Sequence, residues 1–172
     1  DSPVPTGSDG VVLIVGADPA PTATAAHSLG EDDWRRLAEY PMRRTLNALQ
    51  NARAATITAG GRIVVIVPTI GLAGSPGLVP YTTALEGIRA MTKSAARPWS
   101  SARIGVKTVA GPFTLLAPTG DTLGEHLTVA AEADDGSMIE AVIEAVLFLL
   151  GPEHRHLIGT TIVVDGGSVM LP

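Results

Sequence analysis

Gly61-Arg-Ile-Val-Val-Ile-Val-Pro68 decides the fold of this chain. It is a β-branched run bounded by glycine and proline, apolar at every position after Arg62, and it reads as a strand buried on both faces. A Gly/Ser/Pro loop follows, Gly71-Leu-Ala-Gly-Ser-Pro-Gly77. The next segment, Tyr81 to Arg97, places Ala84, Ile88, Met91 and Ala95 at helical spacing. Pro98 is expected to stop that helix. After a short polar link comes a second apolar strand, Ile104-Gly-Val-Lys-Thr-Val-Ala110. Strand, helix and strand at these lengths form a βαβ unit, which requires parallel strands and a right-handed crossover.

Outward from this unit the pattern repeats. Val11-Val-Leu-Ile-Val15 is a further unbroken apolar strand, and Thr160-Thr-Ile-Val-Val-Asp165 is the last. Glu31 to about Arg53 reads as a long helix with Trp34, Leu37, Ala38, Met42, Leu46 and Leu49 on its apolar side. Its first turn carries Glu31, Asp32 and Asp33, where carboxylates complement the helix dipole. Pro41 in its middle is expected to kink it. Ser137-Met-Ile-Glu140 has the spacing of a capping box for a final helix. The run Ala141 to Leu150 of that helix is apolar enough to be largely buried, and Gly151-Pro152 ends it.

The 172 residues suit one domain with a sizeable core, taken as 11–172, preceded by a Pro/Ser/Gly/Asp-rich arm at 1–10. Apolar residues make up 45% and aromatics only 3%, so the core must be aliphatic, as where helices pack on a parallel sheet. Zero cysteines exclude disulfides and thiolate metal sites. The net charge of −5 argues against a nucleic-acid surface. No apolar run approaches the ~20 residues of a membrane span, and no signal peptide is visible. A cytoplasmic protein with neither nucleic-acid nor membrane partners is the expectation. The histidines are His27, His126, His154 and His156. The pair His154 and His156 lacks a third ligand close in sequence, so no metal site is expected.

Taken together, the Gly-Arg-Ile-Val strand, the Gly-x-x-Gly loop, Tyr81, the Ile104 strand and the terminal Val-Asp-Gly-Gly turn resemble the short-chain dehydrogenase/reductase family. The likeness is greatest to its 3-oxoacyl-thioester reductase branch. Glu31-Asp-Asp-Trp34 matches that family's acidic-Trp helix start. The resemblance implies an α/β fold, a partial Rossmann-like (doubly wound) parallel sheet of about four strands with flanking helices. The first nucleotide-binding half of the family's domain would precede Val11 and is not in these residues.

In the family a strand-end serine, a tyrosine thirteen residues later and a lysine four beyond that carry the reaction, with a helix asparagine holding a relay water. Here Tyr81 keeps the tyrosine position. The serine position is Pro68, the lysine position Leu85 and the asparagine position Pro41. The Asn-Asn-Ala-Gly that usually ends the strand matching Val11–Val15 is replaced by Val15-Gly16-Ala17-Asp18. The Gly71-x-x-Gly74-x-x-Gly77 series lies in the wrong loop to cradle a pyrophosphate and reads as a turn. Arg89 and Lys93, one and two turns beyond Leu85, read as solvated surface charges rather than displaced catalytic cations. Gly111-Pro112 reverses the family's Pro-Gly pair, and 113–136 corresponds to its substrate lid.

The resemblance therefore implies a pseudoenzyme with Tyr81 as a vestigial catalytic residue and no cofactor bound by these residues. NAD or NADP would enter if the first half were supplied. The retained helices 31–53 and 81–97 form a four-helix interface in the family, and the last helix and strand form another. A homo-oligomer, or a hetero-oligomer with a full-length reductase, follows as the expected assembly. Two rival readings are an active NAD(P)-dependent oxidoreductase of the 3-oxoacyl-thioester reductase type and a module binding an acyl or aromatic ligand.

Overall fold

The computed structural model describes residues 4–16, 21–117 and 130–170. Its centre is a four-stranded sheet, β1 (Gly10–Ile14), β2 (Gly61–Pro68), β3 (Ile104–Gly111) and β4 (Thr161–Val163). The strands lie side by side in the order β1-β2-β3-β4, and every neighbouring pair is parallel. Val11 sits in register with Ile63, and Ile63 with Val106. In β2 every residue but Arg62 is buried, as its unbroken apolar run requires. Parallel strands so covered are found where helices close both faces of a sheet.

Chain order alternates strand and helix. Between β1 and β2 come α1 (Glu31–Trp34), a π-helical turn (Arg35–Glu39) and α2 (Tyr40–Thr56). Between β2 and β3 come a one-turn helix α3 (Ile70–Ala73) and the long α4 (Val79–Trp99). A further one-turn helix, α5 (Phe113–Leu116), and then α6 (Met138–Leu150) precede β4. On one face Leu49 and Ala52 of α2 and Ile88 and Ala96 of α4 pack on Ile63, Val65 and Val106. On the other, Val142, Val146 and Leu149 of α6 cover Val64, Ile66 and Val109. The sheet is thus doubly wound, with α6 as the long helix on its second face and Leu116 of α5 packed beside it.

Four expectations about the helices are corrected. The expected kink at Pro41 is instead a π-helical turn just upstream, in which the Tyr40 N–H reaches back five residues to the Arg35 carbonyl. The wider turn makes room for a residue that has no N–H to donate and a ring that crowds the preceding turn. The buried stripe of α2 runs through Pro41, Thr45, Leu49, Ala52 and Thr56, while Leu46 and Trp34 are largely exposed. Thr45 and Thr56 can lie inward because each hydroxyl donates to the carbonyl one turn back, at 2.9 Å to Pro41 and 3.0 Å to Ala52. Pro98 does not stop α4, which continues through Trp99 and then tightens into a 3-10 turn at Ser100–Ala102. The capping box at Ser137 is not made either. Asp134 accepts the Gly136 and Met138 N–H groups instead, and Asp135 accepts from Ser137.

A fifth correction concerns α6. Its run was expected to be largely buried, yet only Val142, Val146 and Leu149 are. Ile139, Ile143, Leu147 and Phe148 stand open to solvent, Leu147 at 56%. A helix covering a sheet from one side buries one stripe only, whatever its composition. The segment before β1 is tied down at two points, Gly7 N–H to the Ala55 carbonyl at 2.8 Å and Arg62 N–H to the Asp9 carbonyl at 2.9 Å.

Ile88, fully buried between α4 and the sheet, measures how firmly that layer holds. Ile88→Ala is expected to lower the unfolding free energy by about 2–5 kcal/mol, because the rigid sheet cannot collapse into the space left. Urea titration should show this as a lower midpoint at unchanged slope.

Candidate functional site

In open parallel sheets the strand ends and the helix starts meet at one edge, and that is where ligands are bound. Here the C-terminal ends of β2, β3 and β4 bring together Pro68 and Thr69, Gly111 to Phe113, and Asp165. Pro68 has no N–H to offer and is tolerated because it is the last residue of its strand, opposite Gly111. Thr69 resumes the pairing, its N–H donating to the Gly111 carbonyl at 2.8 Å.

Tyr81 enters from the first turn of α4 and is 2% exposed. It packs with Ile70, Leu78, Leu85 and Phe113. Its ring meets Phe113 edge to face, with centroids 5.9 Å apart and planes at 82°, a favourable aromatic geometry. The phenol oxygen is buried and has no hydrogen-bond partner among the described residues. Burial pushes its pKa well above the usual tyrosine value, since a phenolate there would lose its hydration.

Leu85, one turn on, is likewise buried at 2%. It lies so close to Gly71 of α3 that a Cβ on that glycine would come within 2.6 Å of the Leu85 Cβ. The contact locks α3 onto α4 and closes the space beside Tyr81. Arg89 is held by Glu86 on its own helix, its Nε donating to the carboxylate oxygens at 2.8 and 3.1 Å. Lys93 is exposed. Sequence position therefore brings Tyr81, Leu85 and Pro68 toward one end of the sheet, with neither cation among the residues packed around the phenol.

A cavity of about 190 Å³ does open at this end, bounded by Thr69, Ile70, Phe113, Met138, Asp165 and others. Tyr81 does not line it. Thr69 and Asp165 are its buried polar side chains, at 3% and 5% exposure; motif reading included Asp165 only as part of the Val-Asp-Gly-Gly turn and did not single out Thr69. The Asp165 carboxylate is already engaged, accepting from Gly167 N–H at 3.0 Å, Ser168 Oγ at 2.7 Å and Val169 N–H at 2.9 Å. Gly166 and Gly167 adopt φ of +62° and +76°. That pair of left-handed residues lets the chain turn back over the carboxylate, which is why the Val-Asp-Gly-Gly sequence is needed there.

Other expectations are placed as follows. His154 stacks on Phe148 with centroids 3.7 Å apart, and its Nε2 lies 3.4 Å from Glu153. No group of three His, Asp or Glu side chains able to hold a metal occurs among the described residues. His126, Ala17, Asp18 and half of the lid segment, 118–129, lie outside them. No described helix is long and apolar enough to cross a membrane.

A family model described as enoyl-(acyl carrier protein) reductase matches residues 6–169. The chain is 27% identical over 144 residues to a 3-oxoacyl-(acyl-carrier-protein) reductase of Staphylococcus aureus, covering 81% of this chain and 58% of that one. It is 32% identical over 114 residues to the enzyme of the same name from Rickettsia bellii, covering 64% and 47%. It is 29% identical over 162 residues to a cis-4-hydroxycyclohexanecarboxylate dehydrogenase of Sinomonas cyclohexanicum, covering 91% and 64%. Among solved structures, acetoin dehydrogenase from Salmonella typhimurium superposes with a TM-score of 0.71 over 92% of this chain and 64% of its own, at 22% identity. The chain thus spans roughly half to two thirds of the relatives it matches. With the matching fold, the family model extending over nearly the whole sequence shows that the chain belongs to the short-chain dehydrogenase/reductase family, close to its 3-oxoacyl reductases.

Proposed function

We propose that these residues serve as a non-catalytic structural or regulatory subunit of an oligomer, a pseudoenzyme assembling with itself or with a full-length reductase of the same family. The observation that carries this reading is the state of Tyr81. A phenol works as an acid or base when it reaches substrate and has a group that adjusts its pKa. Tyr81 has neither. Its oxygen is sealed in an apolar cluster without a partner, and burial raises its pKa instead of lowering it. Pro68 and Leu85 stand where a serine and a lysine would be required.

The residues present do not fit a nicotinamide cofactor at this end of the sheet. Leu85 is apolar and wedged against Gly71, where the family's lysine would bind the ribose. The cofactor reading of this chain is accordingly none for residues 1–172 alone. Calorimetric titration with NADH and NADPH is expected to give no heat of binding, and micromolar affinity would overturn that reading.

Assembly is supported by what the fold leaves open. β1 is an edge strand carrying Val12 at 40% and Ile14 at 67% exposure, and exposed apolar edges invite pairing. α6 presents Ile139, Ile143 and Leu147 on one face, a patch of the kind that marks association. Met91, on the helix whose family counterpart forms the four-helix interface, packs against the core, so α6 provides the better probe. Light scattering at tens of micromolar is expected to give a mass at least twice 17.6 kDa, and Leu147→Glu should reduce it. A well-behaved monomer before mutation would end the assembly proposal.

Tyr81→Phe tests the central point in two ways. Removing a buried hydroxyl that has no partner should leave stability unchanged or raise it by about 1 kcal/mol. Turnover by the native assembly should stay within a few-fold. A hundredfold loss would instead give Tyr81 the acid/base role of an active oxidoreductase. The pH dependence has a definite sign. The folded-state pKa lies above the unfolded value of ~10, so Tyr81 stabilises fully below pH ~10 and withdraws that stability as pH rises beyond it. Tyr81→Phe should blunt the alkaline loss.

A further inference from the structure

The opposite end of the sheet carries a second cavity, of about 460 Å³. It opens where β2 and β3 begin and α6 ends. Four of the chain's 12 lysines and arginines line it, Arg62, Arg103, Lys107 and Arg155, together with His156. No aspartate or glutamate is among its lining residues. In a chain of net charge −5, such a concentration of one sign in one hollow is not what composition alone would place there.

Backbone geometry assembles the cluster from distant parts of the sequence. Arg62 and Gly105 are in-register neighbours on β2 and β3, and Lys107 lies two residues further along the same face. That face is the one covered by α6, whose last turn ends just above Lys107. Arg103 occupies the turn leaving α4 with φ +61°, a conformation that glycine adopts freely and that costs an arginine strain. Arg155 follows the 3-10 turn Pro152–His154, and its Nε donates to the His156 ring at 3.2 Å.

Lys107 is the strongest indicator. It is fully buried, and its Nζ donates to the Leu149 carbonyl at 2.5 Å. An ammonium has three donors and tolerates burial poorly unless a negative charge answers it. The C-terminal end of α6 supplies a partial one. Burial and the neighbouring Arg62 both push the Lys107 pKa down, with Glu153 opposing. Glu153 folds back over Gly151 and reaches His154, and Asp9 borders an adjoining hollow. Arg62 makes one long contact, 3.4 Å to the Pro152 carbonyl. Among the described residues no ion pair engages Arg62, Arg103, Lys107 or Arg155.

We infer that this cavity is a binding site for a small phosphorylated molecule. Guanidinium groups grip phosphoryl oxygens with paired N–H donors, and three of them surround the mouth with Lys107 at the floor. Ile104, Ile158 and Pro152 form an apolar wall beside them, which suits the carbon portion of an organic phosphate. The volume exceeds what a lone phosphate needs. The site is remote from Tyr81 and owes nothing to the assembly or cofactor readings.

Calorimetry of the 172-residue chain at low ionic strength, with pyrophosphate as the probe, tests the assignment. Inorganic phosphate and citrate serve as comparisons for size and for carboxylate chemistry. Saturable 1:1 binding of pyrophosphate is expected, tighter than either comparison and weakened by added salt. Arg103→Ala and Arg155→Ala, both at exposed side chains, should each weaken it at least fivefold. Arg43→Ala, an exposed arginine on α2 with the same change in net charge, should leave it unchanged. Gly105→Phe should abolish it, because a side chain there enters the space between Lys107 Cε and Arg62 Cγ, 3.7 and 3.8 Å from the new Cβ. Circular dichroism reports whether that variant folds, and the arginine variants decide the matter if it does not. Absence of pyrophosphate binding, or equal loss in Arg43→Ala, or tighter binding of citrate, would overturn the assignment.

Discussion

Everything in this molecule depends on the double-sided burial of β2. Seven consecutive residues from Ile63 to Thr69 leave no polar side chain in the strand itself, and each is shielded from water. A strand with that demand needs a strand on each side and helices above and below. β1 and β3 supply the first, and α2 with α4 and α6 supply the second. Both hollows discussed above follow from that arrangement, since each opens at one end of the strands where the layers part.

The two ends have opposite characters. At the C-terminal end the side chains are apolar or already satisfied. Leu85 presses against Gly71, Tyr81 against Phe113, and Asp165 is saturated by its own turn. Tyr81 does not line the cavity there, and the Asp165 carboxylate that does is taken up by the turn that follows it. At the N-terminal end the side chains are cationic and weakly engaged, with Lys107 drawn under the end of α6. Electrostatic potential in the chain is therefore concentrated away from the catalytic end, despite the negative net charge.

Helix surfaces show the same economy of burial. α4 packs beside α2 on one face of the sheet and exposes little apolar area along its core stripe, whereas α6, joined only by Leu116 of α5 among the described helices, covers the other face and leaves Ile139, Ile143 and Leu147 in solvent. The outer β1 edge is open in the same sense. An aliphatic chain with few aromatics has enough apolar residues to fill these layers and some left over, and it is the leftover surface that bears on assembly.

By itself the sequence determined the class of fold and the four strands within one or two residues, because unbroken Val/Ile runs admit few other readings. It also determined the order of the main helices, and it puts Pro68, Leu85 and Pro41 where the family resemblance would place a serine, a lysine and an asparagine. It did not determine which face of each helix is buried. Thr45, Thr56 and Thr92 lie inward because backbone carbonyls satisfy their hydroxyls, which hydropathy cannot register. Nor could it foresee the π-helical turn ahead of Pro41, the Asp134 cap in place of Ser137, or the partnerless phenol of Tyr81. The cationic cavity was equally hidden: Arg62, Arg103, Lys107 and Arg155 are scattered over more than ninety residues. Only the parallel register of β2 and β3 and the end point of α6 bring them to one place, because side-chain proximity across a sheet is a property of pairing and not of order along the chain.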